Sequence, residues 1–301
     1  MQAQSNSPVI ALVSARAARD LDEDLPPLVA ALRSKGTDVC VVDWDDESVD
    51  WKAFDIALLR STWDYSMRLA EFLEWSERVS GLTRLLNPLP VIRWNTDKHY
   101  LAALAGAGVP TVPGDFVEPG QHPSPLLARF HSRYQTPEVV VKPAVGSGSR
   151  DAQRHGRNER EAIRSHVQRL LDAGRSALLQ PYLDRVDAHG ETALIYFAGR
   201  FSHAIRKDAL LRSGEGPTEG LFAAETISPR IPSDEELRAG ELALRAIPFG
   251  TLLYARVDLI RDASDVPRVL ELELTEPSVF LLHAEGAAER FAAAILAWHV
   301  N

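Results

Sequence analysis

Glu271-Leu272-Glu273-Leu274-Thr275-Glu276-Pro277-Ser278 is the stretch on which the reading of the whole chain turns. Side chains alternate across an extended strand, so Glu271 and Glu273 share one face while Leu272 and Leu274 share the other. Just upstream, Leu252-Leu253-Tyr254-Ala255-Arg256-Val257-Asp258 places Arg256 and Asp258 on one face in the same way, and the polar turn Arg261 to Val266 joins the two runs. The apolar neighbours argue against a fully solvated face. Three carboxylates on adjacent strands repel one another unless a cation joins them. Hard oxygen ligands in that number suit Mg2+, which commonly holds nucleotide phosphates at the same time. A guanidinium beside such a carboxylate can neutralise an oxyanion developing on a substrate under attack. A structural ion pair is the plain alternative.

Working outward, Glu138-Val139-Val140-Val141-Lys142-Pro143 reads as a β-branched strand ending in a lysine, and Ala144-Val145-Gly146-Ser147-Gly148-Ser149 follows it. Glycines let backbone amides approach phosphate oxygens, and serine hydroxyls add donors without bulk. The loop is neither a Walker A motif nor a dinucleotide fingerprint, and alone it equally describes a flexible surface loop. Further on, Leu178-Leu179-Gln180-Pro181-Tyr182-Leu183 has the form of a strand running into a hinge, with Asp187 and Gly190-Glu191 beyond it.

The first ninety residues alternate strands and helices, which implies a small parallel-sheet α/β unit. Strands are expected at 9–13, 38–42 and 55–59. A helix follows Asp24 as cap, with Pro26 and Pro27 in its first turn and Gly36 where it stops. Thr96 is expected to cap a helix containing Lys98, Tyr100 and Leu104, and 118–125 reads as a loop. The runs 191–197 and 200–206 flank Ala198-Gly199 as a hairpin. Ser233-Asp234-Glu235-Glu236 has the form of a capping box.

Composition excludes several classes. The 301 residues are 45% hydrophobic with a formal net charge of −9, which argues against a nucleic-acid partner. Basic residues nevertheless gather between Arg150 and Arg175, beside the Gly-rich loop, an arrangement compatible with binding a small anion such as a nucleotide. The single cysteine, Cys40, rules out an intramolecular disulfide and is expected to be a buried thiol. Neither a signal peptide nor a membrane-spanning run is found, so a cytoplasmic protein without membrane partners is expected. Val13-Ser14-Ala15-Arg16 carries no glycine, against a nicotinamide-binding fold.

In this order the features resemble the ATP-grasp superfamily of ligases over roughly Trp94 to Phe280. The resemblance implies an α/β (α+β) ATP-grasp fold: an N-terminal parallel α/β lobe at 1–93, a central lobe at 94–182 and a C-terminal lobe at 183–301, the last two clamping a nucleotide. It implies ATP and Mg2+ as cofactors. Lys98 and Lys142 resemble the phosphate-binding lysines, with Gly146, Ser147, Gly148 and Ser149 closing over the phosphates. Gln180, Tyr182, Leu183 and Asp187 resemble adenine and ribose contacts. Arg206 or Lys207 resembles the cation near the terminal phosphate, and Arg256 the one facing an acyl phosphate. Asp258, Glu271 and Glu273 resemble the magnesium ligands. Two departures from the family pattern stand out. Glu-Leu-Glu replaces Glu-x-Asn, so a shifted register would use Glu273 and Thr275; and Pro277-Ser278 replaces Pro-Gly.

Three strings resemble one branch, the D-cycloserine synthetases (O-ureido-D-serine cyclo-ligases): Ala17 to Asp24, Leu59 to Tyr65 and Glu271 to Ser278. That branch activates a carboxylate as an acyl phosphate, which the substrate's own nitrogen attacks to close a five-membered ring; loss of carbamate follows. Arg60, Ser61, Thr62 and Asp64 lie just after a strand, where α/β units place ligands. With Glu191 they are expected to clamp a small amino-acid zwitterion, and Trp63 and Tyr65 either join them or pack the lobe interface. A homodimer is compatible with this reading. The alternatives are an intermolecular, dipeptide-type ligase and a nucleotide-binding module without catalysis.

Overall fold

The computed structural model describes residues 8–218, 220–221 and 225–300. Its N-terminal sheet is parallel throughout, in the order Asp38–Asp43, Val9–Ser14, Ile56–Ser61, Arg84–Leu86. The central sheet is antiparallel, in the order Asp115–Val117, Ala177–Pro181, Glu138–Pro143, Gln153–Gly156. The C-terminal sheet is also antiparallel and runs Ile227–Arg230, Arg200–Lys207, Glu191–Phe197, Tyr254–Arg261, Pro267–Glu273.

The two central strands of the parallel sheet are buried on both faces, and their near-continuous apolar runs reflect this. One face meets the Leu25–Ser34 helix. The terminal helix Ala287–Val300 packs on that helix, so Ile10, Leu12 and Leu28 share a core with Ile195, Tyr254 and Phe291 of the C-terminal half. Each such fully buried aliphatic or aromatic side chain contributes about 2 kcal/mol. The opposite face buries Trp44, Trp51, Phe72 and Trp75 in one aromatic cluster. No helix among the described residues is long and apolar enough to cross a membrane.

Several local expectations need correction. Cys40 is exposed: it sits on an edge strand, and the neighbouring Val39 takes the buried face. Thr96 does not cap the helix that follows it. It ends a helix unforeseen in the sequence, Leu89–Asn95, and Lys98 stands between that helix and Tyr100–Gly106. The 118–125 segment already enters a helix, Pro123–Tyr134, whose two early prolines fit a first turn as readily as a loop. The capping box at Ser233 and Glu236 is present with both reciprocal hydrogen bonds. The hairpin turns on Ala198 and Gly199, both at positive φ (50° and 74°).

The far end of the Gly-rich loop is anchored by a buried histidine pair. Arg169 and Arg175 hold the Asp151 carboxylate at 3.0 and 2.6 Å. His166 Nε2 donates to the Asp151 carbonyl at 3.0 Å, which leaves its Nδ1 to accept from His155 Nε2 at 3.1 Å. Burial, helped by Arg169 and His155, lowers the His166 pKa from 6.5 to about 4. The unfolded imidazole therefore takes up a proton that the folded one refuses, and stability falls as pH drops from 6.5 towards 4. Thermal unfolding should show a loss of up to about 3 kcal/mol over that window. His166→Gln should remove this contribution, leaving that of the other histidines burial holds below 6.5.

Candidate active site

Two adjoining cavities lie against the C-terminal sheet. The first, of about 140 Å3, runs between the central and C-terminal sheets. Val112, Val140, Tyr182, Ile260 and Leu270 form its apolar end, while Lys142, Lys207 and the loop Gly146 to Arg150 form its charged end. The second cavity, of about 430 Å3, is bounded by Asp20 to Asp24, Trp63, Tyr65, Tyr100, Glu276 and Phe280. Lys98, Arg256, Glu271 and Glu273 line both. Arg256 thus stands where the two meet.

The strand register explains this convergence. Arg256 pairs with Glu273 and Asp258 with Glu271 across neighbouring strands, so all four side chains emerge on one face. The guanidinium of Arg256 donates to both Asp258 oxygens at 2.9 and 3.0 Å and to the Ser278 carbonyl at 3.0 Å. It also donates to Glu273. Lys207 Nζ lies 2.8 Å from Asp258 and 2.9 Å from Glu191. Lys142 Nζ is 2.7 Å from Glu271, and Lys98 Nζ is 3.8 Å from the same carboxylate and donates to the Gly146 carbonyl at 2.8 Å.

Charge is unevenly balanced within this cluster. Burial opposes ionisation of Glu271, but Lys142 and Lys98 outweigh it and hold the carboxyl at about 2. Burial also opposes ionisation of Asp258, where Arg256 and Lys207 prevail and lower its pKa. Glu273 is pushed up to about 7: burial exceeds the relief from Arg256, and Asp258 and Glu271 raise it further. Glu276 is pushed up to about 8 by burial and then by Glu273. The acidic side of the junction therefore lacks positive charge. Among the described residues no three His, Cys, Asp or Glu side chains are grouped to hold an ion by themselves; the expected trio is separated by its lysine and arginine partners.

Residues 10–87 match the D-cycloserine synthetase DcsG N-terminal domain family. The cycloserine biosynthesis protein DcsG of Streptomyces lavendulae is 42% identical over 296 residues, spanning 95% of this chain and 97% of that protein. The chain belongs to the D-cycloserine synthetase family of ATP-grasp ligases. The crystal structure of D-cycloserine synthetase DcsG superposes with a TM-score of 0.91 at 40% identity, covering 97% of this chain and 99% of that one. More distantly, the ATP-grasp ligase PsnB, complexed with a phosphomimetic variant of minimal precursor, Mg and ADP, has a TM-score of 0.66 at 19% identity, covering 98% of this chain and all of that one.

Within this synthetase fold, the predicted residues divide. Lys98, Lys142, Gly146, Ser147, Gly148, Ser149, Gln180, Tyr182, Leu183, Glu191, Lys207, Arg256, Asp258, Glu271 and Glu273 all line the first cavity. Thr275 is buried beside Asn95 instead, so Glu271 and Glu273 are the pair that faces the cleft. Arg206 is turned away and bound to the His189 and Ala188 carbonyls and to Asp208. Its alternation with Lys207 on one strand accounts for that. Asp187 does not line the cavity. Tyr182 donates to it, and Arg154 lies 3.3 Å away while stacking 3.6 Å above the Tyr182 ring. Glu191 occupies the cleft among the charged residues rather than the second cavity.

The expected substrate clamp at Arg60 to Asp64 is also corrected. None of Arg60, Ser61, Thr62 or Asp64 lines either cavity. Arg60 is fully buried and donates to the Pro277 carbonyl at 2.9 Å; Ser61 pairs with Ser14 at 2.8 Å; Thr62 is buried; Asp64 accepts from Trp44 at 2.9 Å. The strand end points inward at this position, and its aromatic neighbours Trp63 and Tyr65 reach the cavity in its place. Asp20, Asp22, Glu23 and Glu276 were not singled out in the sequence as cavity residues. Only their place in the strings shared with the synthetases marked them.

Proposed function

We propose that this chain uses ATP to phosphorylate the carboxylate of O-ureido-D-serine and closes the activated molecule to D-cycloserine. The observation that carries this reading is Arg256 at the junction of the two cavities. A nucleotide in the first cavity and an amino acid in the second would bring the terminal phosphate and the substrate carboxylate to the same guanidinium.

The residues divide the work accordingly. Val112, Val140, Ile260 and Leu270 form an apolar slot for adenine, and Gln180 to Leu183 supply its hinge edge. Lys98, Lys142 and Lys207 neutralise phosphate charge, and the loop Gly146 to Ser149 covers it. Asp258, Glu271 and Glu273 would hold magnesium together with the phosphates, since no ready-made three-ligand group exists among the described residues and the charge deficit at Glu273 favours an added cation. When bound, magnesium neutralises the distal phosphates and fixes their orientation. The acidic mouth at Asp20, Asp22 and Glu23 suits the substrate's ammonium, and Arg256 its carboxylate.

A carboxylate oxygen attacks the terminal phosphorus and ADP leaves. The ureido nitrogen next to oxygen then attacks the acyl carbon, phosphate departs and a five-membered ring forms. Water removes the carbamoyl group, which is lost as carbon dioxide and ammonia. Positioning and charge neutralisation suffice for such chemistry, and the cleft supplies both.

Purified protein with ATP, Mg2+ and O-ureido-D-serine should release ADP only when substrate is present, with D-cycloserine identified by mass. ADP release only with another amino acid and an amine would instead establish an intermolecular ligase. ATP binding without turnover of any carboxylate would establish a non-catalytic module.

A further inference from the structure

Asp24 occupies the N-cap position of the Leu25–Ser34 helix but makes no side-chain cap hydrogen bond there. Its carboxylate is committed to the far end of the chain. Val279 N and Phe280 N donate to Oδ2 at 2.6 and 3.1 Å, and Leu281 N donates to Oδ1 at 2.6 Å. Arg60 lies 3.6 Å from the same carboxylate and donates to the Pro277 carbonyl at 2.9 Å. Asp24 is 3% exposed and Arg60 1%. Two buried, oppositely charged side chains of the N-terminal sheet region therefore hold one short loop through four backbone groups.

That loop reaches the reacting centre. Ser278, Phe280 and Leu282 line the second cavity. The Ser278 carbonyl accepts from Arg256 at 3.0 Å, and the Phe280 ring, at a left-handed φ of 52°, lies 5.5 Å from the Arg256 guanidinium carbon. A carboxylate accepting three amides in a low-dielectric setting is a stiff restraint. A cap alone would need none of these contacts.

We propose that Asp24, supported by Arg60, is a positioning residue that sets the 277–281 loop against Arg256, so that the activated carbonyl is reached by the substrate's nitrogen and not by water. This rests on the acyl-phosphate reading above. In the competing step a water oxygen attacks the acyl carbon, the carbon–oxygen bond to phosphate breaks, and phosphate leaves. The carboxylate is regenerated, so ATP is spent, and ADP and phosphate appear, without product. A loosened loop therefore shows as uncoupling as well as slower turnover.

The test compares wild type with Asp24→Asn, which keeps the size but offers one oxygen and an unwanted N–H to the amides. D-cycloserine formed per ADP should fall about tenfold, within the roughly 10²-fold that a misplacement of about 1 Å can cost. Wild-type amides 279–281 should be protected from hydrogen exchange and should lose that protection in the variant. Arg60→Gln should shift both readouts in the same direction if Asp24→Asn does not fold. A variant that is slower or less stable but keeps its product-to-ADP ratio would reduce Asp24 to a structural anchor and overturn the inference. So would unprotected wild-type amides. If wild type leaves O-ureido-D-serine unchanged, the substrate reading fails, and amide exchange still decides whether Asp24 sets the loop.

Discussion

Arg256→Met should lower kcat for substrate-dependent ADP release by about 10³-fold, the scale seen when one donor to a developing oxyanion is removed. Arg256 is the one group that lines both cavities while donating to Asp258 and Glu273 and to the Ser278 carbonyl. Methionine fills much of the same space without charge. Nucleotide affinity should change far less, because Lys98, Lys142 and Lys207 remain. The fold should survive the change: Asp258 keeps Lys207 at 2.8 Å, and Glu273, already raised to about 7, can become neutral. Arg256→Lys should recover only part of the loss, since an ammonium cannot reproduce the fork to Asp258. Steady-state kinetics beside nucleotide titration would check this, and a loss below tenfold would contradict the role.

Gly190→Ala should destabilise the protein by about 3 kcal/mol or more, combining a glycine-only backbone with a steric clash. Gly190 has φ 73° and ψ −179°, a region that L side chains avoid. A Cβ there would stand 2.5 Å from the Lys207 carbonyl and 2.8 Å from Arg206 Nε. The first contact is to backbone and cannot be relieved by a rotamer change. Because Glu191 pairs with Lys207 across the sheet, an adjustment there disturbs the placement of Lys207 against Asp258, and activity should fall with stability. Urea unfolding would measure the first effect, and a change below about 1 kcal/mol would contradict the strain argument.

The acidic strand shows how far the sequence carries. Period-two alternation placed Glu271 and Glu273 on one face, and cross-strand pairing with Asp258 and Arg256 brings that face into the cleft. The same alternation separates Lys207 from Arg206, yet the choice between them depended on which face of the hairpin is covered, a tertiary fact. Arg60 is the instructive failure. An arginine after a parallel strand is where ligands are commonly met, but here it is enclosed by the terminal segment more than two hundred residues away. Nothing local foretells that contact. Asp24 is similar: its cap position was legible, its use by Val279 to Leu281 was not. The prolines at 123 and 125 misled in the other direction, since a proline that opens a helix and one that breaks a loop look alike in one sequence.

The proposed reaction depends on an acyl phosphate formed at Arg256. Its most direct test is turnover of O-ureido-D-serine labelled with oxygen-18 in the carboxylate, with mass analysis of the released phosphate. One labelled oxygen should pass from substrate to phosphate in each turnover, because the bridging oxygen leaves with phosphorus when nitrogen attacks carbon. Product formed with wholly unlabelled phosphate would contradict it.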